Sequence, residues 1–233
     1  MRLDGIIFDK DGTLFDFGET WNSWALSLIA ELSDGDPALA RRIAEQADFD
    51  LALGSFRPTS PIIAGTNREA AECIARALPD YGVDALEALM TARAAEAPLA
   101  PPTDLVPLFD DLCARGLRLG VMTNDSEFAA RAHLDAAGVL DHLHWIAGFD
   151  SGHGAKPAPT PLLAFAAAQN VDPARTAMVG DSTHDLVAGR AAGMVTVAVL
   201  TGMAGEEELA PYADTILPHV GHLPDWLGAA ALS

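Results

Sequence analysis

Short apolar runs alternate with amphipathic segments along most of this sequence. The apolar runs lie at residues 5–8, 117–122, 145–147, 176–179, 196–200 and 215–217. Helix-like patterns separate the later runs, at residues 127–137, 161–169, 183–192 and 206–210. A strand that is apolar on both faces suits a parallel sheet whose two sides are covered by helices. The alternation therefore predicts an α/β fold built on a doubly wound parallel sheet.

One long stretch interrupts this alternation. Between residues 16 and 100 there are four helical patterns and no convincing strand, at residues 20–32, 37–53, 67–78 and 84–97. The segment APLAPP at 97–102 ends the stretch, because its prolines cannot continue a helix. We expect residues 16–100 to form a smaller all-helical domain, inserted after the first strand of a core made of residues 1–15 and 101–233. The position of the insert makes it a candidate lid.

The charge balance limits the partners of the chain. There are 14 Lys and Arg residues against 33 Asp and Glu residues, a formal net charge of −19, and no basic run. Proteins that bind nucleic acid concentrate Lys and Arg on one face, so nucleic acid is disfavoured, and an anionic membrane surface is disfavoured for the same reason. The two cysteines lack disulfide or zinc spacing, and the first apolar run is too short for a signal or membrane segment. We therefore expect a soluble cytoplasmic protein.

Two carboxylates follow the first predicted strand. Asp9 and Asp11 are two positions apart in the sequence DKDGT. In an extended chain they project to the same side, and Lys10 between them is directed away. The alternative is an ordinary turn, since Asp11-Gly12 is a common turn dipeptide.

A second acidic motif, GDSTHD at 180–185, follows the apolar run at 176–179. Taken alone, it is typical of a capped helix start, with Asp181 or Ser182 as the N-cap and Asp185 in the first turn. Both acidic motifs would nevertheless lie along the carboxyl edge of the sheet, where open α/β folds bind ligands. Carboxylates that converge on one point need a cation, and an all-oxygen set of ligands suits Mg²⁺.

Polar groups follow two other strands. Thr123 and Asn124 come directly after the run at 117–122 and offer a hydroxyl and an amide, although Thr123 to Glu127 is also typical of a helix N-cap box. Lys156, in the sequence GAKPAPTP, precedes a proline and is therefore expected on a loop. The alternative for Lys156 is a solvated surface lysine.

In order and spacing these motifs resemble those of the haloacid dehalogenase-like hydrolase superfamily, and within it the phosphatases similar to phosphoglycolate phosphatase. The matching motifs are DKDGT, Thr123, Lys156-Pro157 and GDSxxD. The insert resembles the helical, C1-type cap of that family, beside a Rossmann-like core. The resemblance thus covers nearly the whole chain.

The resemblance implies a phosphoric monoester hydrolase with the following catalytic residues. Asp9 would be the nucleophile that forms an aspartyl-phosphate intermediate, and Asp11 would be the general acid and then the general base. Thr123 and Lys156 would hold the phosphoryl oxygens, and Lys156 would also offset the charge of Asp9. Relatives that cleave carbon–halogen or carbon–phosphorus bonds lack an acid at the position of Asp11, so its presence favours phosphate esters.

The resemblance also implies a metal site and a substrate class. Mg²⁺ would be bound by Asp9, by the main-chain carbonyl of Asp11 and by Asp181, with Asp185 assisting. The substrate would be a small phosphorylated metabolite, with 2-phosphoglycolate as the leading candidate, and the protein would act as a monomer or homodimer. The predicted substrate-binding residues are Thr123, Asn124, Lys156 and, from the insert, Arg57.

Three other interpretations remain open at this stage. A β-phosphoglucomutase of the same superfamily would keep Asp11 and return the phosphoryl group to a sugar. A non-enzymatic receiver-type signalling module also uses acidic residues, Thr and Lys on an α/β sheet, but such modules are shorter and lack a large insert. A binding protein could keep the fold without the chemistry.

Overall fold

The computed structural model describes residues 3–63 and 65–230. Its strands are β1 (Gly5–Phe8), β2 (Phe49–Asp50), β3 (Ser55–Phe56), β4 (Arg118–Met122), β5 (Trp145–Ala147), β6 (Thr176–Gly180), β7 (Val195–Val199) and β8 (Thr215–Leu217). Its α-helices are α1 (Phe17–Ser33), α2 (Pro37–Ala47), α3 (Asn67–Ala75), α4 (Val83–Ala94), α5 (Leu105–Ala114), α6 (Glu127–Ala136), α7 (Thr160–Gln169), α8 (Thr183–Ala191), α9 (Glu206–Leu209) and α10 (Leu223–Ala230). Each apolar run of the sequence corresponds to one of the strands β1 and β4 to β8.

Six strands form one parallel sheet in the order β5-β4-β1-β6-β7-β8. Strand β1 is central, with Phe8 opposite Val121 of β4 and Val179 of β6. The chain fills one side of β1 with β4 and β5 and then crosses to the other side with β6. Such a reversal opens a crevice at the carboxyl ends of the central strands, which is where sheets of this kind bind ligands.

Helices cover both faces of the sheet. Ile6 and Phe8 of β1 belong to a buried apolar cluster that includes Phe109 of α5. Ile7 points to the opposite face and belongs to a second cluster, which includes Phe165 of α7. Successive strand residues alternate between faces, so a strand buried on both sides must be apolar throughout. The predicted α/β fold with a doubly wound parallel sheet is confirmed.

The segment between β1 and α5 contains α1 to α4, which pack around an apolar cluster that Ala129 of α6 also joins. One detail differs from the expected all-helical insert. The helical pattern at 37–53 ends at Ala47, because Asp48 adopts left-handed backbone angles (φ 49°, ψ 47°), and β2 and β3 then form an antiparallel hairpin. The division into a core of 1–15 and 101–233 and an insert of 16–100 stays a prediction.

Two of the helices were not predicted from the sequence. Helix α5 has Pro107 in its first turn and α10 has Pro224 at its second residue, and proline is tolerated there because first-turn N–H groups have no partner within the helix. Among the described residues, no helix combines the length and the apolar character needed to cross a membrane.

Candidate active site

The predicted site residues lie where the central strands end. Asp9 follows β1, Thr123 follows β4 and Asp181 follows β6. Because β1 lies between β4 and β6, these three positions meet at the carboxyl edge of the sheet. A cavity opens there between the edge and the insert, and its described lining has two parts. The core wall consists of Asp9, Asp11, Thr123, Asn124, Asp125, Lys156, Asp181, Ser182, His184 and Asp185. The cap wall consists of Phe17, Trp21, Trp24, Phe56, Ile62, Ile63, Gly65, Thr66, Asn67, Ala70, Met90 and Ala94.

Three buried carboxylates and one ammonium group form the centre of the core wall. Asp9, Asp181 and Asp185 each bring one carboxylate oxygen within 4.8 Å of the other two. Lys156 Nζ hydrogen-bonds Asp9 Oδ1 and lies 2.6 Å from Asp185 Oδ1. The loop before α7 therefore delivers Lys156 to the acidic group, and the surface-lysine alternative is wrong because its side chain is only 3% exposed.

The acidic group carries more negative charge than Lys156 can balance. Burial raises the pKa of Asp9 to about 7, with Asp185 and Asp11 adding to the rise and Lys156 opposing it. Burial, followed by Asp9 and Asp185, raises the pKa of Asp181 well above its usual range. Burial alone would lower the pKa of Lys156, but Asp185 and Asp9 raise it above its ordinary value. Lys156 is therefore a permanent cation, and a second cation is needed to balance the three carboxylates.

The donor set fits a hard divalent cation. It consists of carboxylate oxygens only, the ligands that Mg²⁺ prefers. The backbone also approaches Asp181 closely: a Cβ on Gly202 would lie 1.7 Å from Asp181 Oδ2, and a Cβ on Gly12 would lie 2.3 Å from it. Thr13 Oγ1 donates to Asp181 Oδ1 at 3.2 Å. Asp181 is thus held in place by small residues and a hydroxyl, a suitable setting for a metal ligand.

Asn124 holds the backbone of Lys156. Its Nδ2 donates to Lys156 O at 2.9 Å, and its Oδ1 accepts from Lys156 N at 3.0 Å. The residue was predicted to contact substrate, and it does line the cavity, but its amide also fixes the lysine loop. Its neighbour Thr123 is buried, and its Oγ1 accepts from Asp125 N at 3.1 Å. Helix α6 is capped by Ser126, so the interpretation of Thr123 as an N-cap is wrong.

Asp185 serves two purposes. Its Oδ2 accepts hydrogen bonds from Ser182 N at 3.0 Å and Ser182 Oγ at 2.6 Å, in the capping box that begins α8. Its Oδ1 lies beside Lys156 Nζ. The motif GDSTHD is therefore both a helix cap and part of the acidic group, and the two interpretations made from sequence do not exclude each other.

The expectation that Lys10 points away from the two acids is wrong. Its side chain is fully buried, and Lys10 Nζ lies 2.9 Å from Asp11 Oδ2 and 3.0 Å from Asp125 Oδ2. The chain turns directly after Asp9, with Leu14 N donating to Lys10 O at 2.9 Å, so the alternation of an extended strand does not continue. Burial would lower the pKa of Lys10, but Asp11 and Asp125 raise it above its ordinary value.

The Lys10 ammonium is linked to the insert through its two neighbours Asp11 and His133, each of which hydrogen-bonds a residue of the insert. Trp21 Nε1, from α1, donates to Asp11 Oδ1 at 2.9 Å. His133 Nδ1 lies 3.0 Å from Lys10 Nζ, and His133 Nε2 lies 2.6 Å from Ala94 O at the end of α4. Burial and then Lys10 lower the pKa of His133, so the ring is neutral, accepts at Nδ1 and donates from Nε2.

The group of Lys10, Trp21, Asp125 and His133 is absent from the predictions made from sequence. The available signal was the scarcity of lysine, since Lys10 and Lys156 are the only two lysines in the chain. Both proved to be buried partners of aspartates.

Arg57 does not reach the cavity. Its guanidinium pairs with Asp48 Oδ1 at 3.3 Å and Asp50 Oδ2 at 3.0 Å, and its side chain is 54% exposed. Its neighbour Phe56 lines the cap wall instead. Side chains alternate along an extended chain, so a strand end that turns Phe56 inward turns Arg57 outward.

Comparisons with known proteins point to one family. Residues 3–193 match the family model of the haloacid dehalogenase-like hydrolases. The chain is 31% identical over 230 residues to a phosphoglycolate phosphatase of Rhodospirillum rubrum, covering 96% of this chain and 90% of that protein. It is 29% identical over 235 residues to an N-acetylmuramic acid 6-phosphate phosphatase of Pseudomonas aeruginosa, covering 99% and 97%. A solved structure, a predicted phosphoglycolate phosphatase from Haemophilus somnus, has a TM-score of 0.73 at 20% identity, covering 97% and 98%.

Proposed function

Because this chain belongs to the haloacid dehalogenase-like hydrolase family, we propose that it is a Mg²⁺-dependent phosphatase of small-metabolite phosphate monoesters. The observation that carries the proposal is the buried group of Asp9, Asp181, Asp185 and Lys156 at the carboxyl edge of the sheet. Phosphoryl transfer depends mostly on positioning and on charge stabilisation, and this group supplies both.

In the proposed reaction Asp9 is the nucleophile. A carboxylate oxygen of Asp9 forms a bond to phosphorus while the bond from phosphorus to the ester oxygen breaks, and Asp11 donates a proton to the leaving alcohol. Water then attacks the aspartyl-phosphate, Asp11 accepts its proton, and inorganic phosphate leaves with Asp9 restored. Both carboxylates line the same cavity, which supports these two roles.

Lys156 and Thr123 are the proposed holders of the phosphoryl oxygens. Lys156 is charged at every relevant pH and hydrogen-bonds the nucleophile, so it stabilises negative charge near Asp9. Asn124 acts on the reaction by fixing the backbone of Lys156 through its two hydrogen bonds. Thr123 lines the core wall beside them.

Asp9, Asp181 and Asp185 are the side chains that would hold Mg²⁺, and the main-chain carbonyl of Asp11 is a further proposed ligand. When bound, the cation would offset the charge of the carboxylates and of the phosphoryl group. The raised pKa values of Asp9 and Asp181 are consistent with a site that requires such a cation.

We further propose that residues 16–100 act as a cap that excludes water and orients Asp11. Trp21 from α1 and Lys10 from the core both bind the Asp11 carboxylate, so the acid is fixed from two sides. A carboxyl group held in one orientation exchanges its proton with the reacting oxygen along one direction, which is what general acid–base catalysis requires. Phosphoglycolate is a substrate to assay first, because relatives of this chain carry its name.

The test is release of inorganic phosphate from a panel of phosphate esters, with Mg²⁺, with EDTA, and with an Asp9→Asn variant. We expect turnover by the wild type with Mg²⁺ and none in the other two cases. Absence of phosphate release from every ester, or an Asp9→Asn variant as active as wild type, would contradict the proposal. Conversion of a hexose 1-phosphate to its 6-phosphate without release of phosphate would identify a mutase instead.

A further inference from the structure

We propose that the alcohol part of the substrate is uncharged and carries an apolar ring, and that it lacks the carboxylate of phosphoglycolate. This inference rests on the proposed phosphatase function and specifies its substrate class. It comes from the chemistry of the cap wall, which faces the alcohol when the phosphoryl group lies at Asp9.

The cap wall is built from aromatic and aliphatic side chains. Trp21 and Trp24 pack edge to face with ring centroids 5.1 Å apart, and Phe17 and Phe56 do so at 6.0 Å. Met90 lies in the same wall. Aromatic surfaces of this kind bind another ring by burial of apolar area and by edge-to-face contact. An alkyl ester with no ring would leave most of this wall without contacts.

No free cation of the insert faces the cavity within the described residues. Lys156 is the sole Lys or Arg on the described lining, and it is committed to Asp9 and Asp185. Arg57 is bound by Asp48 and Asp50. Arg68 and Arg93 are next in sequence to the cap-wall residues Asn67 and Ala94, and both are held by carboxylates of the insert. Arg68 is bound by Glu72, Asp84 and Glu87, and Arg93 by Glu31 and Glu96. His184 belongs to the core wall, next to Asp185 in the first turn of α8.

Most polar side chains of the described cap wall already have partners, and Trp24 Nε1 is a buried donor there without one. Asn67 Nδ2 donates to Thr91 Oγ1 at 2.6 Å. Thr66 forms a capping box with Glu69, which places a carboxylate at the start of α3. The N-terminus of α3 is therefore already neutralised by an acid of the chain, and a substrate carboxylate there would be repelled by it.

A substrate carboxylate that reaches the described cap wall would therefore meet no cation there, and Trp24 Nε1 is a single neutral donor. Burying an ionised group without a cation or hydrogen-bond donors is strongly unfavourable, whereas a ring gains from contact with the same wall. Two relatives are named for 2-phosphoglycolate and N-acetylmuramic acid 6-phosphate, which both carry a carboxylate, so the inference sets this chain apart from those relatives in substrate class.

The test uses two pairs of esters in which the members differ by a carboxylate. Ethyl phosphate is paired with 2-phosphoglycolate, and benzyl phosphate is paired with 4-carboxybenzyl phosphate. We expect kcat/KM for benzyl phosphate to exceed that for ethyl phosphate by at least about tenfold, and each carboxylate to lower kcat/KM by at least about tenfold. A higher kcat/KM for 2-phosphoglycolate than for ethyl and benzyl phosphate would overturn the inference.

A binding experiment separates this inference from the proposed function. The non-hydrolysable analogues 2-phenylethylphosphonate and 3-phosphonopropionate are titrated with Mg²⁺ present, and occupancy is followed by tryptophan fluorescence, because Trp21 and Trp24 line the cavity. Binding of the phenyl compound at least about tenfold more tightly supports the inference even if no ester is hydrolysed, in which case only the phosphatase proposal fails. Equal binding, or tighter binding of 3-phosphonopropionate, overturns the inference.

A gain of function completes the test. Ile63→Arg introduces a cation into the cap wall, and Ile63→Met is the uncharged control of similar length. We expect Ile63→Arg to raise the ratio of kcat/KM for 2-phosphoglycolate over ethyl phosphate by about tenfold or more, and Ile63→Met to leave this ratio unchanged. An unchanged ratio in Ile63→Arg with a folded, active protein would argue that the wild-type wall already accepts a carboxylate.

Discussion

The core wall of the cavity carries five aspartates and a lysine, whereas the described cap wall carries no charged side chain. On the core wall Lys156 Nζ hydrogen-bonds Asp9, and the lysine loop is fixed by Asn124. On the cap wall the contacts are between rings and aliphatic groups.

The difference assigns two tasks to two parts of the chain. A charged, hydrogen-bonded wall can hold a phosphoryl group and a cation, which every phosphate ester shares. An apolar wall can select among alcohols by size and shape. Substitutions on the core wall are therefore expected to abolish activity toward all esters, and substitutions on the cap wall to change which ester is preferred.

Replacement of the proposed nucleophile should have the largest effect. We expect Asp9→Asn to lower kcat by at least about 10⁴-fold for every ester, because the amide cannot form the acyl phosphate. Its free energy of unfolding measured without metal should equal or exceed that of wild type, since the change removes one of several mutually repelling buried carboxylates. Phosphate-release kinetics and urea unfolding check the two parts.

Asp225→Asn is the matched control for this substitution. Asp225 is an exposed carboxylate of α10, and its replacement should leave both kcat and the urea midpoint unchanged. A strongly destabilised Asp9→Asn protein would contradict this, because it would mean that pairing with Lys156 stabilises Asp9 more than the neighbouring carboxylates destabilise it.

The same contrast explains what could be predicted from the sequence. The strands and the core-wall residues Asp9, Thr123, Lys156 and Asp181 follow local patterns, since each acid or hydroxyl comes directly after an apolar run or in a loop with fixed spacing. The parallel topology then brings the strand ends together without further information.

The cap wall had no such local pattern. Arg57 is the cation of the insert that the sequence predicts to bind substrate. It faces away from the cavity because a short hairpin replaces the end of the predicted helix. The buried group around Lys10 depends on His133, which is 123 positions away in the chain. Contacts of that separation arise from packing between α6, β1 and the insert, and no spacing in one sequence indicates them.

Lys10→Met should have the next largest effect, on stability. Lys10 Nζ lies within 3.0 Å of carboxylate oxygens of Asp11 and Asp125, which are mostly buried and would lose their cation. Removing one member of a buried ion pair costs about 3–5 kcal/mol. Urea unfolding of Lys10→Met should show a loss of this size, and Lys10→Met with Asp125→Asn should recover part of it. A loss below about 1 kcal/mol in the single variant would mean that water replaces the ammonium group.

His133→Gln should have a smaller effect that depends on pH. Burial and then Lys10 lower the pKa of His133 below its ordinary value, so the unfolded chain binds this proton more tightly than the folded protein. The neutral ring therefore contributes its full stability above the ordinary histidine pKa of about 6.5, and that contribution is lost as the pH falls below it. Glutamine can accept from Lys10 and donate to Ala94 O, so at pH 7.5 it should cost about 1 kcal/mol.

The measurement for His133→Gln is the difference in unfolding free energy between wild type and variant from pH 7.5 down to pH 5. Subtracting the variant removes the titration of the aspartates common to both proteins, including Asp11 and Asp125 beside Lys10. The gap should narrow or reverse toward pH 5. A gap that widens toward pH 5 would show that the folded protein binds the His133 proton more tightly than the unfolded chain, and a constant gap would show that the pKa of His133 is the same in both states.

Arg57→Ala should have the smallest effect, and it is informative when compared with a substitution of its neighbour Phe56. The guanidinium is exposed and bound to Asp48 and Asp50, so its removal should leave kcat/KM for benzyl phosphate within about twofold of wild type and the urea midpoint nearly unchanged. Phe56→Leu, one position earlier on the same strand end, removes a ring from the cap wall and should lower that kcat/KM by about tenfold. If Arg57→Ala is instead the more damaging of the two, Arg57 must reach the substrate in the working enzyme, and the cap wall would then supply charge as the core wall does.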